Sequence, residues 1–226
     1  MANFRDLGGL PTGDGRRTCD GVLYRSDAPH RGDPPPTTAV SWPPELVLDL
    51  REAAEQADHP LAGVADVMGI PLLAGPHAVD WRRLPRLEEL YLGSLRRAGE
   101  RIAELLGLLA RTTGPALVHC AAGKDRTGVL VAVLLRAAGV TRDAVVDDYL
   151  RTDRNVAAVL TRMSWDLTVL DEEDRLRAQH LAGTSAAALT AVLDVLDAAP
   201  GGPAGWASSH GASDEALGGW TRMLVG

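Results

Sequence analysis

One stretch of the chain constrains its fold more than any other, because an apolar strand, a polar loop and an apolar helix follow one another without interruption. Ala116-Leu117-Val118 is apolar at consecutive positions, which is typical of a central strand buried on both faces. Residues 127–138 are apolar almost all round, which predicts a buried helix, and Gly139 suits the position just after its end. The loop between them therefore joins two buried elements.

The rest of the chain repeats this alternation of strands and helices. Apolar runs bounded by turns predict strands at 22–25, 46–50, 67–72 and 116–119. Apolar residues at helical spacing predict a long amphipathic helix over 85–111. This order favours an α/β fold with a mainly parallel central sheet flanked by helices.

Beyond Gly139 the pattern stays helical as far as Ala199. Thr141 is the predicted N-cap of the first of these helices. Gly201-Gly202-Pro203 is expected to break the pattern, and a last short helix is expected from about Ser213. We expect a single domain over residues 1–226.

Composition excludes several functional classes. The longest apolar run is too short to cross a bilayer, and the N-terminus lacks the apolar run of a signal peptide. We therefore expect a cytoplasmic protein with no integral membrane segment, while non-classical export stays open. A net charge of −7 argues against nucleic acid as a partner. Two cysteines, Cys19 and Cys120, are too few for a disulfide framework.

The polar loop combines several features of an anion site. Cysteine followed six residues later by arginine is weak evidence alone, but here Cys120 ends a strand and Gly123 permits a tight turn before a helix. This arrangement gathers backbone N–H groups and a helix N-terminus around one point. Arg126 can then form two parallel hydrogen bonds to a phosphate. The predicted phosphate-binding residues are Ala121, Ala122, Gly123, Lys124, Asp125, Arg126 and Thr127.

The same environment favours a reactive thiolate at Cys120, which would lie beneath the bound phosphorus. Its in-line attack would give a phosphocysteine that water hydrolyses. Backbone amides and Arg126 would stabilise the developing charge, and Thr127 is placed to donate to the departing thiolate. Lys124 is the only lysine of the chain, which suggests that this loop needs a compact ammonium.

These residues resemble the bacterial tyrosine- and lipid-phosphatase branch of the protein tyrosine phosphatase superfamily. The run from His119 to Gly128 carries the resemblance. Other motifs of that branch match in order, namely Asn3-Phe4-Arg5-Asp6-Leu7-Gly8-Gly9, Leu23-Tyr24-Arg25-Ser26-Asp27, Asp49-Leu50-Arg51 with Glu55, and Asp148-Tyr149. One departure is that Trp42-Pro43-Pro44-Glu45 does not provide the usual Trp-Pro-Asp acid loop.

The resemblance implies a phosphomonoesterase that needs no metal or other cofactor, with Cys120 as nucleophile and Arg126 as phosphate ligand. Its expected substrates are phosphotyrosine and, in addition, phosphoserine or phosphothreonine and phosphoinositides, so the partner is a phosphorylated protein or a phosphoinositide. It also implies a helical lid after the loop, at about 141–183. A fixed, solvated pair of helices is the alternative for that segment.

The general acid that protonates the leaving group is left open by the residues alone. Asp125 lies in the loop between two cations, and Asp49 ends a buried strand at the edge of the sheet where such sites form. Asp49 could instead pair with Arg51 or Arg25, and Asp80 is a third candidate. The resemblance favours Asp125.

Other functions remain as alternatives. A catalytically inactive phosphate-binding module would share the same fold. A thiol-redox or sulfur-transfer protein would leave Arg126 without a role, and the sequence shows no clustered Asp/His set for a metal phosphatase. The segment 3–9 is interpreted as a structural clamp in which Arg5 and Asp6 can pair, and Cys19 as incidental or as a resolving thiol.

Overall fold

The structure is a computed structural model that describes residues 1–56, 58–72, 86–164, 171–172 and 182–226. Within these residues five strands form one sheet in the order β1-β2-β5-β3-β4. Only β1 is antiparallel to its neighbour, and the other pairings are parallel. The predicted α/β class with a mainly parallel sheet is confirmed. The strands are β1 (Arg5–Asp6), β2 (Leu23–Ser26), β3 (Leu46–Asp49), β4 (Asp66–Gly69) and β5 (Ala116–His119).

Helices pack mainly against one face of this sheet. The described α-helices are α1 (Leu87–Leu109), α2 (Asp125–Ala137), α3 (Arg142–Leu150), α4 (Val156–Arg162), α5 (Ala186–Ala198), α6 (Gly202–Ser209) and α7 (Asp214–Val225). Short 3-10 helices cover Ala53–Glu55 and Arg151–Asn155. No helix in the described ranges is long and apolar enough to cross a membrane.

Alternation along the strands divides the core into two parts. Leu48 and Val118 face the main core, which they share with side chains of α1, α2, α5 and α7. Val47 and Leu117 face the other side, where they form a smaller cluster with Tyr24 that is covered by apolar side chains of the N-terminal segment and of loops. Because both faces of β5 are buried, the central strand is fixed in place directly before the polar loop.

The main elements lie close to their predicted positions, with two omissions. The helix after the polar loop begins at Asp125, and Gly139 follows its end with φ +86. The two-residue strand β1 was not predicted. Gly201 does end the preceding helical pattern, but a further helix, α6, begins at Gly202. Pro203 is tolerated in its first turn because the missing N–H has no intrahelical partner there.

The carboxyl ends of three strands meet at one edge of the sheet. In the strand register His119 is paired with Ser26 on one side and with Asp49 on the other. The loops that follow β2, β3 and β5 therefore start side by side. In open α/β sheets this edge is where ligands bind.

The segment predicted as a lid is only partly covered by the structure. Its first part, 141–164, contains α3, a 3-10 helix and α4. Residues 165–170 and 173–181 lie outside the described residues, as does Asp80, the third candidate for the general acid. The lid itself remains a prediction.

Candidate functional site

Two buried side chains, Asn3 in the N-terminal segment and Arg25 on β2, bond to carbonyl groups of the 119–127 loop. The amide Nδ2 of Asn3 donates to the carbonyls of Ala122 and Gly123, each at 3.2 Å. Arg25 Nη2 donates to the same Gly123 carbonyl at 2.9 Å. Both side chains are buried, so these bonds are protected from competing water.

The outward carbonyls fix the direction of the loop amides. The backbone N–H of Ala28 donates to the Ala121 carbonyl at 3.0 Å, which gives a third consecutive carbonyl bonded away from the loop centre. In a trans peptide the N–H points opposite to the C=O. The amides of Ala122, Gly123 and Lys124 therefore turn inward, where they join the free amides of the first turn of α2.

Glycine is the residue type that fits at position 123. Its φ is +66, which side chains on L residues rarely adopt, and a Cβ placed there would lie 2.2 Å from the carbonyl oxygen of Ser26. Loop and strand β2 consequently approach more closely than any other residue would allow.

A buried ion-pair cluster supports the same loop from below. Asp148 on α3 accepts from Arg5 Nε at 2.6 Å and from Arg25 Nη1 at 2.7 Å. Burial alone would raise the pKa of Asp148, but the charges of Arg25 and Arg5 outweigh it and lower the pKa. The structural role expected for segment 3–9 is confirmed. The expected partner of Arg5 was wrong, since Asp6 instead accepts from backbone N–H groups.

A cavity of about 150 Å³ opens above the loop. One wall is the loop itself, with Cys120, Ala121, Ala122, Lys124, Asp125 and Arg126. The Cys120 side of this wall is deeply set, since that residue is only 2% exposed. The opposite wall is mainly apolar and consists of Thr152, Val156, Val159, Leu160, Met163 and Ala182.

Two cations border the cavity, and each touches a carboxylate. Lys124 Nζ donates to Asp125 Oδ1 at 2.7 Å. Arg126 donates to Glu55 through Nη1 at 2.6 Å and through Nη2 at 3.1 Å. Burial alone would lower the pKa of both basic groups, but Asp125 raises that of Lys124 and Glu55 raises that of Arg126. Both groups therefore remain positively charged at neutral pH.

The helix that forms the apolar wall is tied to the loop after β2. Arg162, at the end of α4, donates from Nε to Asp27 at 2.6 Å and from Nη1 and Nη2 to Asp33 at 2.8 and 2.7 Å. Asp27 also accepts from the backbone N–H of Asn3 at 2.8 Å. Asp27 therefore links the two walls of the cavity, because it bonds to Arg162 on α4 and to Asn3, which bonds to the loop.

A buried cysteine, inward amides and two cations around one cavity match what sequence comparison finds. The profile of the tyrosine phosphatase family matches residues 1–226. The chain belongs to the tyrosine phosphatase family.

Similar proteins carry corresponding names. A candidate tyrosine-protein phosphatase of Cupriavidus necator is 32% identical over 179 residues, 70% of this chain and 62% of the relative. The triple specificity protein phosphatase PtpB of Mycobacterium tuberculosis is 42% identical over 69 residues, 30% of this chain and 25% of the relative. A tyrosine-protein phosphatase of Nostoc commune is 31% identical over 124 residues, 46% and 39% of the two chains. The chain thus spans less than two thirds of the length of these curated relatives.

In this member of the tyrosine phosphatase family the two main acid candidates occupy different places. Asp125 lines the cavity. Asp49 ends β3 beside His119, and its carboxylate accepts from Arg51 Nε at 2.9 Å and Nη2 at 2.7 Å. Burial alone would raise the pKa of Asp49, but the hydrogen bonds from Arg51 outweigh it and lower the pKa. Asp49 therefore stands as an ion-paired neighbour of the loop, and it does not line the cavity.

Three side chains of this phosphatase-family chain have the composition of a metal site. Potential ligand atoms of Asp49, His59 and His119 lie within 4.8 Å of one another. However, the Leu61 N–H donates to His59 Nδ1 at 3.2 Å, which places the proton of neutral His59 on Nε2, facing His119 Nε2 at 3.0 Å. Burial lowers the pKa of His119 to about 4, so it is a neutral acceptor. A cation would have to displace this bond and compete with Arg51 for Asp49.

The sequence did not reveal two polar contacts of the site. Tyr91 falls within the apolar pattern that predicts α1, yet its hydroxyl donates to Asp125 at 2.6 Å. Glu55 belongs to a motif of the sequence, but the motif does not indicate that Glu55 pairs with Arg126. Spacing along a helix distinguishes a buried from an exposed face, but it does not show what a buried hydroxyl touches.

Proposed function

We propose that this chain is a phosphomonoesterase that hydrolyses phosphotyrosine through a phosphocysteine intermediate. One observation carries the proposal: Cys120 lies at the base of a cavity into which consecutive loop amides turn and which Lys124 and Arg126 border. A dianionic phosphate satisfies all of these donors at once, and a neutral ligand does not.

The first step is an in-line displacement. The Cys120 thiolate attacks phosphorus, an S–P bond forms, and the P–O bond to the leaving group breaks. The leaving oxygen takes a proton from the Asp125 carboxyl, which lines the same cavity. Loop amides and Arg126 stabilise the charge on the three equatorial oxygens.

The second step regenerates the enzyme. Water attacks the phosphocysteine, loses a proton to the Asp125 carboxylate, and the S–P bond breaks to release the Cys120 thiolate and inorganic phosphate. Thr127 supports the departing thiolate. Its hydroxyl is buried in the first turn of α2 and has no hydrogen-bond partner in the part of the chain that the structure describes.

The opposite wall of the cavity supports an aromatic substrate. Val156, Val159, Leu160 and Met163 present apolar surface to whatever carries the phosphate. Among the described lining residues, Lys124 and Arg126 are the cations, and both are needed for the reacting phosphate. A phosphotyrosine ring can pack against this wall, whereas the further phosphates of a polyphosphoinositide would meet no additional cation among the described lining residues.

The test is a steady-state assay with an activated aryl phosphate in the presence of chelator. We expect turnover by the wild-type chain and essentially none by Cys120→Ser, which should still bind vanadate or phosphate. Retained turnover in Cys120→Ser, or loss of wild-type activity in chelator, would contradict the mechanism. Binding without turnover in the wild type would identify the inactive phosphate-binding module instead.

Substrate class is tested by a side-by-side panel. PtpB is named for triple specificity, so the panel includes a phosphotyrosine peptide, a phosphoserine peptide and a phosphoinositide. The apolar wall predicts the highest kcat/KM for the phosphotyrosine peptide. A higher value for the phosphoinositide would show that the wall does not select the substrate.

A further inference from the structure

A chain of three hydrogen bonds leads from the start of α5 to Asp125. The backbone N–H of Ser185 donates to the Tyr149 hydroxyl at 3.1 Å. The hydroxyls of Tyr149 and Tyr91 are 2.8 Å apart, and Tyr91 donates to Asp125 Oδ1 at 2.6 Å. The members of this hydrogen-bond series are the N-cap residue of α5 and one residue each of α3, α1 and α2.

The donor of each hydrogen bond in this series follows from the two groups at its ends. A backbone N–H can only donate, and a carboxylate can only accept. Since the single Tyr91 proton is directed to Asp125, the bond between the two hydroxyls uses the proton of Tyr149. All donors therefore point toward Asp125.

Both tyrosines are buried and stay protonated. Tyr91 is 2% exposed and Tyr149 is 1% exposed, and their rings pack edge to face with centroids 6.3 Å apart. Burial raises the pKa of Tyr91 well above its ordinary value and also raises that of Tyr149. The Tyr91 hydroxyl is consequently a permanent donor over the working range of pH.

The two oxygens of Asp125 are not equivalent. Oδ1 accepts from Tyr91 at 2.6 Å and from Lys124 at 2.7 Å. Oδ2 has no hydrogen-bond partner among the described residues, and the carboxyl group lines the cavity. An oxygen that already accepts from a cation and a hydroxyl is a poor place for a proton, so a neutral carboxyl carries its proton on the other oxygen.

We propose that Tyr91 is a positioning residue that holds Oδ1 of Asp125, so that Oδ2 carries the proton delivered to the leaving group. The inference rests on the proposed function and assigns the orientation of its general acid. Tyr91 itself touches neither substrate nor the reacting atoms. Tyr149 acts one bond further away, by supplying the proton that keeps the Tyr91 oxygen oriented.

Loss of the Tyr91 hydroxyl should affect the rate according to the leaving group of the substrate. Tyr91→Phe keeps the buried ring and removes only the hydroxyl. Asp125 can then rotate away from the leaving oxygen, which matters when that oxygen is basic and hardly matters when it is a good leaving group. We expect kcat for phenyl phosphate to fall about tenfold, with kcat for an activated aryl phosphate and both KM values nearly unchanged.

The experiment compares Tyr91→Phe, Asp125→Asn and the double variant on phenyl phosphate and on an activated aryl phosphate. Tyr24→Phe is the matched control, because Tyr24 is also buried but bonds to Ser41 on the other face of the sheet. The proposal expects a selective loss in Tyr91→Phe and a double variant no slower than Asp125→Asn alone. Thermal unfolding of each variant monitors the fold.

Two results would overturn it. Equal losses on both substrates, or losses that multiply in the double variant, would make Tyr91 a structural residue only. Failure of the proposed function is seen separately, because it appears as an inactive wild type or an active Cys120→Ser before any tyrosine is changed.

Discussion

Both carboxylate oxygens of Glu55 accept hydrogen bonds from the end of the Arg126 guanidinium, at 2.6 Å from Nη1 and 3.1 Å from Nη2. This two-point contact uses the end of the guanidinium and does not occupy the side edge that contains Nε. Nε has no hydrogen-bond partner in the described part of the chain. Since Arg126 borders the cavity, that edge is available to a phosphate. Glu55 thus sets the angle of Arg126 before substrate arrives.

Replacement of Glu55 tests whether this contact prepares or blocks the site. If it prepares the site, Glu55→Ala should raise KM for an aryl phosphate about tenfold, and Glu55→Gln less, because Gln keeps one acceptor. Glu45→Gln is the control, since Glu45 bonds to Thr113 away from the cavity. Tighter substrate binding in Glu55→Ala would mean that Glu55 competes with phosphate for Arg126.

Alkylation reports the reactivity of Cys120. Because Cys120 lines the cavity together with Lys124 and Arg126, the anion iodoacetate should inactivate the enzyme, and inorganic phosphate should slow that inactivation. Cys19→Ser should be inactivated at the wild-type rate, which assigns the modification to Cys120. The interpretation fails if inorganic phosphate does not slow the inactivation.

Leaving-group dependence distinguishes the two carboxylates near the loop. Asp125→Asn should slow phenyl phosphate far more than an activated aryl phosphate, by about a hundredfold against a few-fold. Asp49→Asn should slow both substrates alike, because Asp49 is paired with Arg51 outside the cavity. The selective pattern in Asp49→Asn would exchange the two roles.

The Asp148 cluster predicts how stability depends on pH. Its folded-state pKa is lowered, so the stability it contributes is present above the unfolded pKa of about 3.9 and is lost as pH falls through the lower folded value. At pH 7, Asp148→Asn should destabilise the fold by about 3–5 kcal/mol, because Arg5 and Arg25 lose their buried counter-charge.

Urea unfolding at pH 7 and pH 3 measures both effects. Asp147→Asn is the control, because Asp147 is next to Asp148 in the sequence but its side chain is exposed. Asp148→Asn should also show a smaller loss of stability between the two pH values than the wild type does. An unchanged difference would place the acid-sensitive group elsewhere.

What the sequence predicts is set by how local each signal is. The strand Ala116–His119, the loop and α2 are contiguous, and their apolar pattern predicts them closely. By contrast, β1 is two residues long and exists because Arg5 and Asp6 pair with β2, which no local pattern indicates. The partners of Arg126 and Asp125 are equally hidden, because Glu55 and Tyr91 are brought to them by the fold.

The hold of Asn3 and Arg25 on the Gly123 carbonyl spans 120 and 98 residues of chain. Residues 119–127 therefore contain the cysteine, but residues far away in the sequence are needed to shape its pocket. During synthesis the first strands leave the ribosome well before the loop, and the pocket can form only once both ends have met. Under the proposed function, affinity for phosphate would report completed folding, because a half-folded copy has Cys120 without its pocket.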